Sequence, residues 1–416
     1  MAGKSTPKGA WRITLLLLLY MIVNFADKIV VGLAGAPIMS DLRLTPSQFG
    51  LLGSAFFLLF SITAVAVGFL INKVETRLVL LGLALLWSLV QFPMMWDVGF
   101  TTLLVCRIVL GAGEGPAISV ATHALYKWFP DEKRMLPTAI LNQGGAFGVI
   151  LAVPALNWVI INHSWHAAFG ALGVVGLVWA ALWIFLGAEG PLTGKAVEEA
   201  DGGRTYPYAR LLATPTFIGS ALSTFGAYWA LSIGLTWFTP FLVNGLGFSQ
   251  REAGFISITP WALGAVIVLV TGWISQRMTA AGFSTRHARG VLGAAPLVVG
   301  GLIMMAAPHV ESRGLIVALL VLGSCLCGSI YVVCPPMLAE FTPTGQRGAV
   351  ISIYGALYTL AGVFAAFVMG GVIQRAATPL AGYLQGYQLN GAILVASGLC
   401  GLLMLRPNSE RARLAR

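Results

Sequence analysis

The chain has 416 residues, of which 57% are hydrophobic and only 10% are charged, with a net charge of +10. A water-soluble domain carries roughly 25% charged residues, so this composition excludes an ordinary soluble enzyme or regulator and points to lipid as the solvent. The positive charge would suggest nucleic acid only if it were gathered on one folded surface; here it is scattered between apolar runs.

Those runs recur along nearly the whole chain, each close to the ~20 residues that cross a bilayer as a helix. Twelve spans are predicted, at 12–36, 47–70, 78–97, 101–126, 135–160, 165–187, 214–242, 252–276, 289–308, 314–338, 348–374 and 386–405. The first follows Lys4, Lys8 and Arg12, as a secretory signal would. Yet it runs on through Asp27-Lys28 to Pro37, too long for a signal core, and is read as span one. Nineteen of the 25 Lys and Arg, from Lys4 to Arg416, fall on the side of the N-terminus; Arg43, Arg251, Arg313 and Arg375 fall on the other. That bias predicts cytoplasmic termini. The remaining two bases, Lys28 and Arg107, lie within spans, as do the acids Asp27 and Glu114.

Four ionisable groups at membrane depth are costly unless they face a partner or a cavity. Tyr20, Asn24, Asp27 and Lys28 follow helical spacing on span one; Arg107, Gly111 and Glu114 do so on span four. Arg107 and Glu114 are two turns apart, about 10 Å. Gly111 between them either leaves room for a ligand or packs a helix as part of Gly111-xxx-Gly115. Lys28 is the expected carboxylate ligand. Asp27 and Glu114 can carry protons, and Arg107 balances whichever acid is ionised. A purely structural ion cluster is the competing reading, but such clusters are poor sources of stability.

The chain also repeats itself. "LRLTPSQFG" (42–50) and "LGFSQREAG" (246–254) align at an offset of 204 through Thr45/Ser249, Gln48/Glu252 and Gly50/Gly254. "FPDEKR" (129–134) matches "FTPTGQR" (341–347) around Arg134/Arg347. An all-α integral membrane protein is expected, with twelve helices in two pseudo-symmetric six-helix halves. Residues 1–187 form the first half, 188–212 a cytoplasmic linker and 213–416 the second half with its tail. Such a plan is that of a transporter with a midplane site.

This 6+6 plan resembles the major facilitator superfamily over essentially the whole chain. "GFLINKVETR" (68–77) is similar to its cytoplasmic signature, with Asn72, Glu75 and Thr76 as departures. "RIVLGAGEGPAISVATHALYKWFPDEKR" (107–134) resembles the span-four signature of the anion:cation symporter family at Arg107, Gly111, Glu114, Pro116, Trp128-Phe129-Pro130, Glu132 and Arg134. "NFADK" (24–28) is similar to that family's Asn-Tyr-x-Asp-Arg, with Phe25 and Lys28 as departures. "NQGGAFGVILAVP" (142–154) follows its Asn-x-Gly spacing at Asn142, with Gly145 where some sugar-acid carriers have Gln. The resemblance implies proton-coupled import of a small organic anion, a carboxylate, through a bacterial inner membrane. The three departures point toward a smaller or more apolar carboxylate than a sugar acid. Asn24, Phe25, Lys28 and Asn142 are the implied substrate contacts in the first half, and Tyr354 and Thr359 in the second. Asp27, Glu114 and Arg107 are the proton-coupling set.

The partners expected are the anion, protons and the bilayer. A monomer is expected, with no cofactor, metal, nucleic acid or enzymatic activity. The five Cys have no metal-site spacing. An anion exchanger of the same superfamily is the alternative, though spans seven to twelve offer no intramembrane cation for a phosphate dianion. A membrane sensor would carry an output domain, and no loop is long enough for one.

Overall fold

The computed structural model describes residues 7–71, 73–130, 133–192, 206–408 and 410. Asn72, Glu132, most of the expected linker (193–205) and the tail from 411 lie outside the described residues. Among the described residues twelve helices are long and apolar enough to cross a membrane, as expected. They are Ala10–Leu33, Pro46–Gly68, Thr76–Met95, Phe100–Tyr126, Leu136–Asn162 and Trp165–Leu186, then Pro215–Gly245, Gln250–Ala280, Arg286–His309, Arg313–Phe341, Gly345–Arg375 and Pro379–Met404. Span twelve begins seven residues before its predicted start. Its first turns, "PLAGYLQGYQ", are too polar for a hydropathy signal. The helix is started instead by Pro379 at N1 and by Thr378, whose Oγ1 accepts from the Ala381 amide at 3.2 Å.

The two sequence repeats are each a local device built twice. Thr45 and Gln48 form a capping box: the Thr45 amide donates to Gln48 Oε1 at 2.9 Å and the Gln48 amide to Thr45 Oγ1 at 3.3 Å. Ser249 and Glu252 do the same at 2.9 and 3.2 Å. Each starts a helix by satisfying amides that have no partner within it. Arg134 Nε donates to Phe129 O at 3.0 Å and Arg347 Nε to Thr342 O at 3.0 Å, closing the same five-residue corner. Span four breaks at Gly115-Pro116 and span ten at Cys327-Gly328, again at corresponding places. Pro116 removes a backbone donor there and forces the interruption.

The chain forms two compact units. One comprises Met1–Gly194 with Leu235–Val243 and Gly247–Ile258, and the other Lys195–Gly234, Asn244–Leu246 and Thr259–Arg416. The first unit holds a column of large rings, Tyr20 on Trp87 and Trp179 at 4.6 and 4.7 Å, and Trp179 on Trp183 at 5.2 Å. The Trp179 and Trp183 indoles are oriented by donating to Leu16 O (2.8 Å) and Arg77 O (2.9 Å), respectively. At the Thr45 end, Gln250 Nε2 donates to Leu33 O at 2.8 Å and to Asn157 Oδ1 at 3.1 Å.

At the opposite end Glu189 joins three elements. Its carboxylate accepts from Thr76 Oγ1 at 2.8 Å and from the Arg77 amide at 3.0 Å, at the start of span three, and it pairs with Lys127. Partial burial raises the Glu189 pKa, but the bonds from Lys127, Arg77 and Thr76 outweigh it and hold the carboxyl below its ordinary value. A lowered folded-state pKa stabilises above the unfolded value and is lost as pH falls through the folded one. Glu189→Gln is therefore expected to lower the melting temperature at pH 7. That gap should persist above the ordinary glutamate value of about 4.3 and close as pH falls through the lowered folded-state value. Melting curves of both proteins across that range check it; a gap that widens in acid would contradict the assignment.

Candidate functional site

Span one brings its polar face against spans three and four inside the first unit. Asn24, Asp27, Arg107 and Glu114 are all buried, at 0, 1, 3 and 1% exposure. Lys28 differs: its side chain retains 10% exposure. Lys28 is therefore the least buried of the four charged side chains.

Asn24 links the cation to an acid. Its Oδ1 accepts from Lys28 Nζ at 2.6 Å, and its Nδ2 donates to Glu114 Oε2 at 3.3 Å. Lys28 Nζ itself lies 3.8 Å from that same Oε2. Asp27 is held separately, with its Oδ1 accepting from Gln91 Nε2 at 2.8 Å. The Arg107 guanidinium stacks 4.6 Å from the Phe56 ring centroid and makes no ion pair within 4 Å among the described residues. Its Nε and Nη1 have no hydrogen-bond partner there, and neither do Tyr20 Oη, Asp27 Oδ2, Gln91 Oε1 and Glu114 Oε1. A cluster with so many unmet polar atoms is a poor device for holding helices together.

Gln91 is the site residue that sequence reasoning missed. The signal was present, a lone amide in the apolar run "LLWSLVQF" of span three. Attention to ionisable groups alone passes over it. Gly111, by contrast, is a packing residue. A Cβ there would stand 1.7 Å from the Phe56 carbonyl oxygen, so spans two and four touch backbone to backbone at this point. Phe25 lies on the Lys28 side of span one, its ring centroid 4.4 Å from Nζ. Span five meets span one through Gly144, Gly145 and Gly148, while Asn142 is exposed.

Tyr354 and Thr359 belong to the second unit. The Tyr354 hydroxyl is 2.7 Å from Thr224 Oγ1. Thr359 donates to Gly355 O of its own helix at 2.9 Å. Around them stands a tyrosine cluster, with Tyr358 at 5.3 Å from Tyr228, 5.0 Å from Tyr354 and 6.1 Å from Tyr331. Tyr358 was not singled out by the sequence, since aromatic residues are common throughout these spans.

Twelve spans, a doubled six-helix plan and paired discontinuous helices are now joined by a family match: the model of the Major Facilitator Superfamily aligns with residues 16–366. The chain belongs to that superfamily. It is 26% identical over 411 residues to the hexuronate transporter of Bacillus subtilis (strain 168), covering 95% of this chain and 94% of that one. It is 25% identical over 401 residues to the D-galactonate transporter of Escherichia coli O6:H1, covering 90% and 91%. Among solved structures, a bacterial homologue of the human lysosomal transporter Spinster, inward-facing and occupied, matches with a TM-score of 0.81 at 17% identity. That match covers 98% of this chain and 99% of the other, and it concerns the fold. This superfamily member is a membrane transporter by its fold and its relatives, not an enzyme.

Proposed function

We propose that the protein is a proton-coupled symporter that imports a small organic anion, a carboxylate, by alternating access. The relatives named for hexuronate and D-galactonate support the anion class. One observation carries the coupling: Glu114 Oε2 sits 3.8 Å from Nζ of Lys28, the less buried of the two cations. An ionised Glu114 and a substrate carboxylate compete for that one ammonium. Protonating Glu114 releases it, so proton and anion each favour the other's binding. Asp27, bound to Gln91 on the neighbouring helix, is a second proton carrier, and Arg107 supplies the standing positive charge that lets both acids ionise in the empty return state. Asn24, Phe25 and Asn142 complete the first-half contacts, with Tyr354 and Thr359 contributing from the second half. The protein works as a monomer in a bacterial inner membrane with both termini in the cytoplasm. Residues 1–187 and 213–416 act as the two moving halves and 188–212 as the linker.

Uptake by proteoliposomes tests the reading. An acid-outside pH gradient is expected to drive carboxylates inward above their external concentration. Exchange of internal for external anion that ignores the pH gradient would favour an exchanger instead.

A further inference from the structure

The surroundings of Lys28 narrow the substrate, given that this site holds an anion as proposed above. The ammonium faces two phenyl rings, Phe25 at 4.4 Å and Phe60 at 5.3 Å from their centroids. Phe60 continues into a cluster with Phe56 (5.5 Å) and Phe57 (5.8 Å), and Phe56 also faces the Arg107 guanidinium. Among the described residues the polar partners of Lys28 Nζ are Asn24 Oδ1 and Glu114 Oε2, and Asn24 Nδ2 already binds Glu114. Nor can the Phe25 ring swing toward span five. A Cβ on Gly145 would stand 3.0 Å from its Cζ, and one on Gly148 would stand 2.9 Å from its Cβ. Gly145 seats the ring and Gly148 the base of the side chain, and the seated ring fills the space in which a side chain at position 145 could offer a hydrogen bond.

We propose that the anion held at Lys28 carries an apolar framework next to its carboxylate, aromatic or short and branched, and that polyhydroxylated sugar acids are poor ligands. The carboxylate meets the ammonium, and the carbons beside it lie against the Phe25 and Phe60 rings. Hydroxyls on those carbons would give up water and meet phenyl carbon in exchange. This part of the site, beside the carboxylate, rejects such groups because it offers them no partner.

Thermal-shift titrations of the purified protein with phenylacetate, isovalerate, glucuronate and galactonate test this, followed by counterflow with the same four. Half-maximal stabilisation by phenylacetate or isovalerate is expected at a concentration at least tenfold below that for either sugar acid. Phe25→Ala should shrink that ratio toward one, whereas Phe25→Leu, which keeps an apolar filler between Gly145 and Gly148, should retain part of it. Equal or tighter binding of glucuronate or galactonate by the wild type overturns the inference and leaves organic-anion transport standing. A ratio unchanged in a folded Phe25→Ala protein overturns the role of the ring. Binding and counterflow of none of the four, in protein that melts cooperatively, overturns the transport reading and this inference with it.

Discussion

Glu114→Gln is expected to remove the share of pH-driven accumulation that Glu114 carries while leaving anion binding and exchange in place. The amide is nearly isosteric with the acid, and its carbonyl oxygen can still accept from Asn24 Nδ2, which now reaches Glu114 Oε2 at 3.3 Å. What disappears is the negative charge 3.8 Å from Lys28. The ammonium is then free for the anion at every pH, so affinity at pH 7.5 should hold or rise and lose its dependence on proton concentration. Each pH unit is worth about 1.4 kcal/mol per coupled proton. If Glu114 is the only coupled site, a two-unit gradient that gives roughly 100-fold accumulation in the wild type should give none in the variant. If Asp27 carries a second proton, the wild type should reach roughly 10,000-fold and the variant roughly 100-fold, so accumulation equal to the wild type in Glu114→Gln would assign the proton route to Asp27 alone. Uptake of labelled anion into proteoliposomes at fixed membrane potential measures the difference.

The second large effect is expected at Lys28. Lys28→Ala should weaken anion binding by at least about 100-fold, in the range of 2–5 kcal/mol found when one member of a buried charge pair is removed. The substitution also leaves Glu114 buried without its cation, which by itself destabilises the fold. The double variant Lys28→Ala, Glu114→Gln removes that complication, since it strands no carboxylate. It should melt near the wild type and still fail to bind. Lys28→Arg keeps the charge and should retain part of the affinity, with changed selectivity because a guanidinium forks over two oxygens where an ammonium is a point charge. Isothermal titration of the four proteins decides the matter. Wild-type affinity in the double variant would reduce Lys28 to a partner of Glu114.

The apolar lining of the site has a consequence for how such a carrier discriminates. In the proposed site Lys28 would be an unselective anion ligand, and the groups that choose among carboxylates would be its neighbours. Phe25, Phe60 and the glycines that seat Phe25 come from spans one, two and five. None of them bears a charge, and none would be found by a search for chemistry-bearing residues.

Sequence by itself determined the medium, the number of spans and the doubled plan. Each rests on information local to a stretch of chain: the length of an apolar run, the Thr45/Gln48 and Ser249/Glu252 caps, the Arg134 and Arg347 corners. It also isolated the four intramembrane charges, because a charge amid apolar residues is visible without any knowledge of packing. Only the tertiary structure decided who meets whom. Gln91 reaches Asp27 across 64 residues and Asn24 reaches Glu114 across 90. Gly111 proved to be where backbones touch, and Phe25 and Gly145 proved to be one packing unit where the sequence offered two separate departures. Helical periodicity tells which residues share a face of one helix. The partner on the next helix depends on crossing angle and register, which arise from packing many side chains at once.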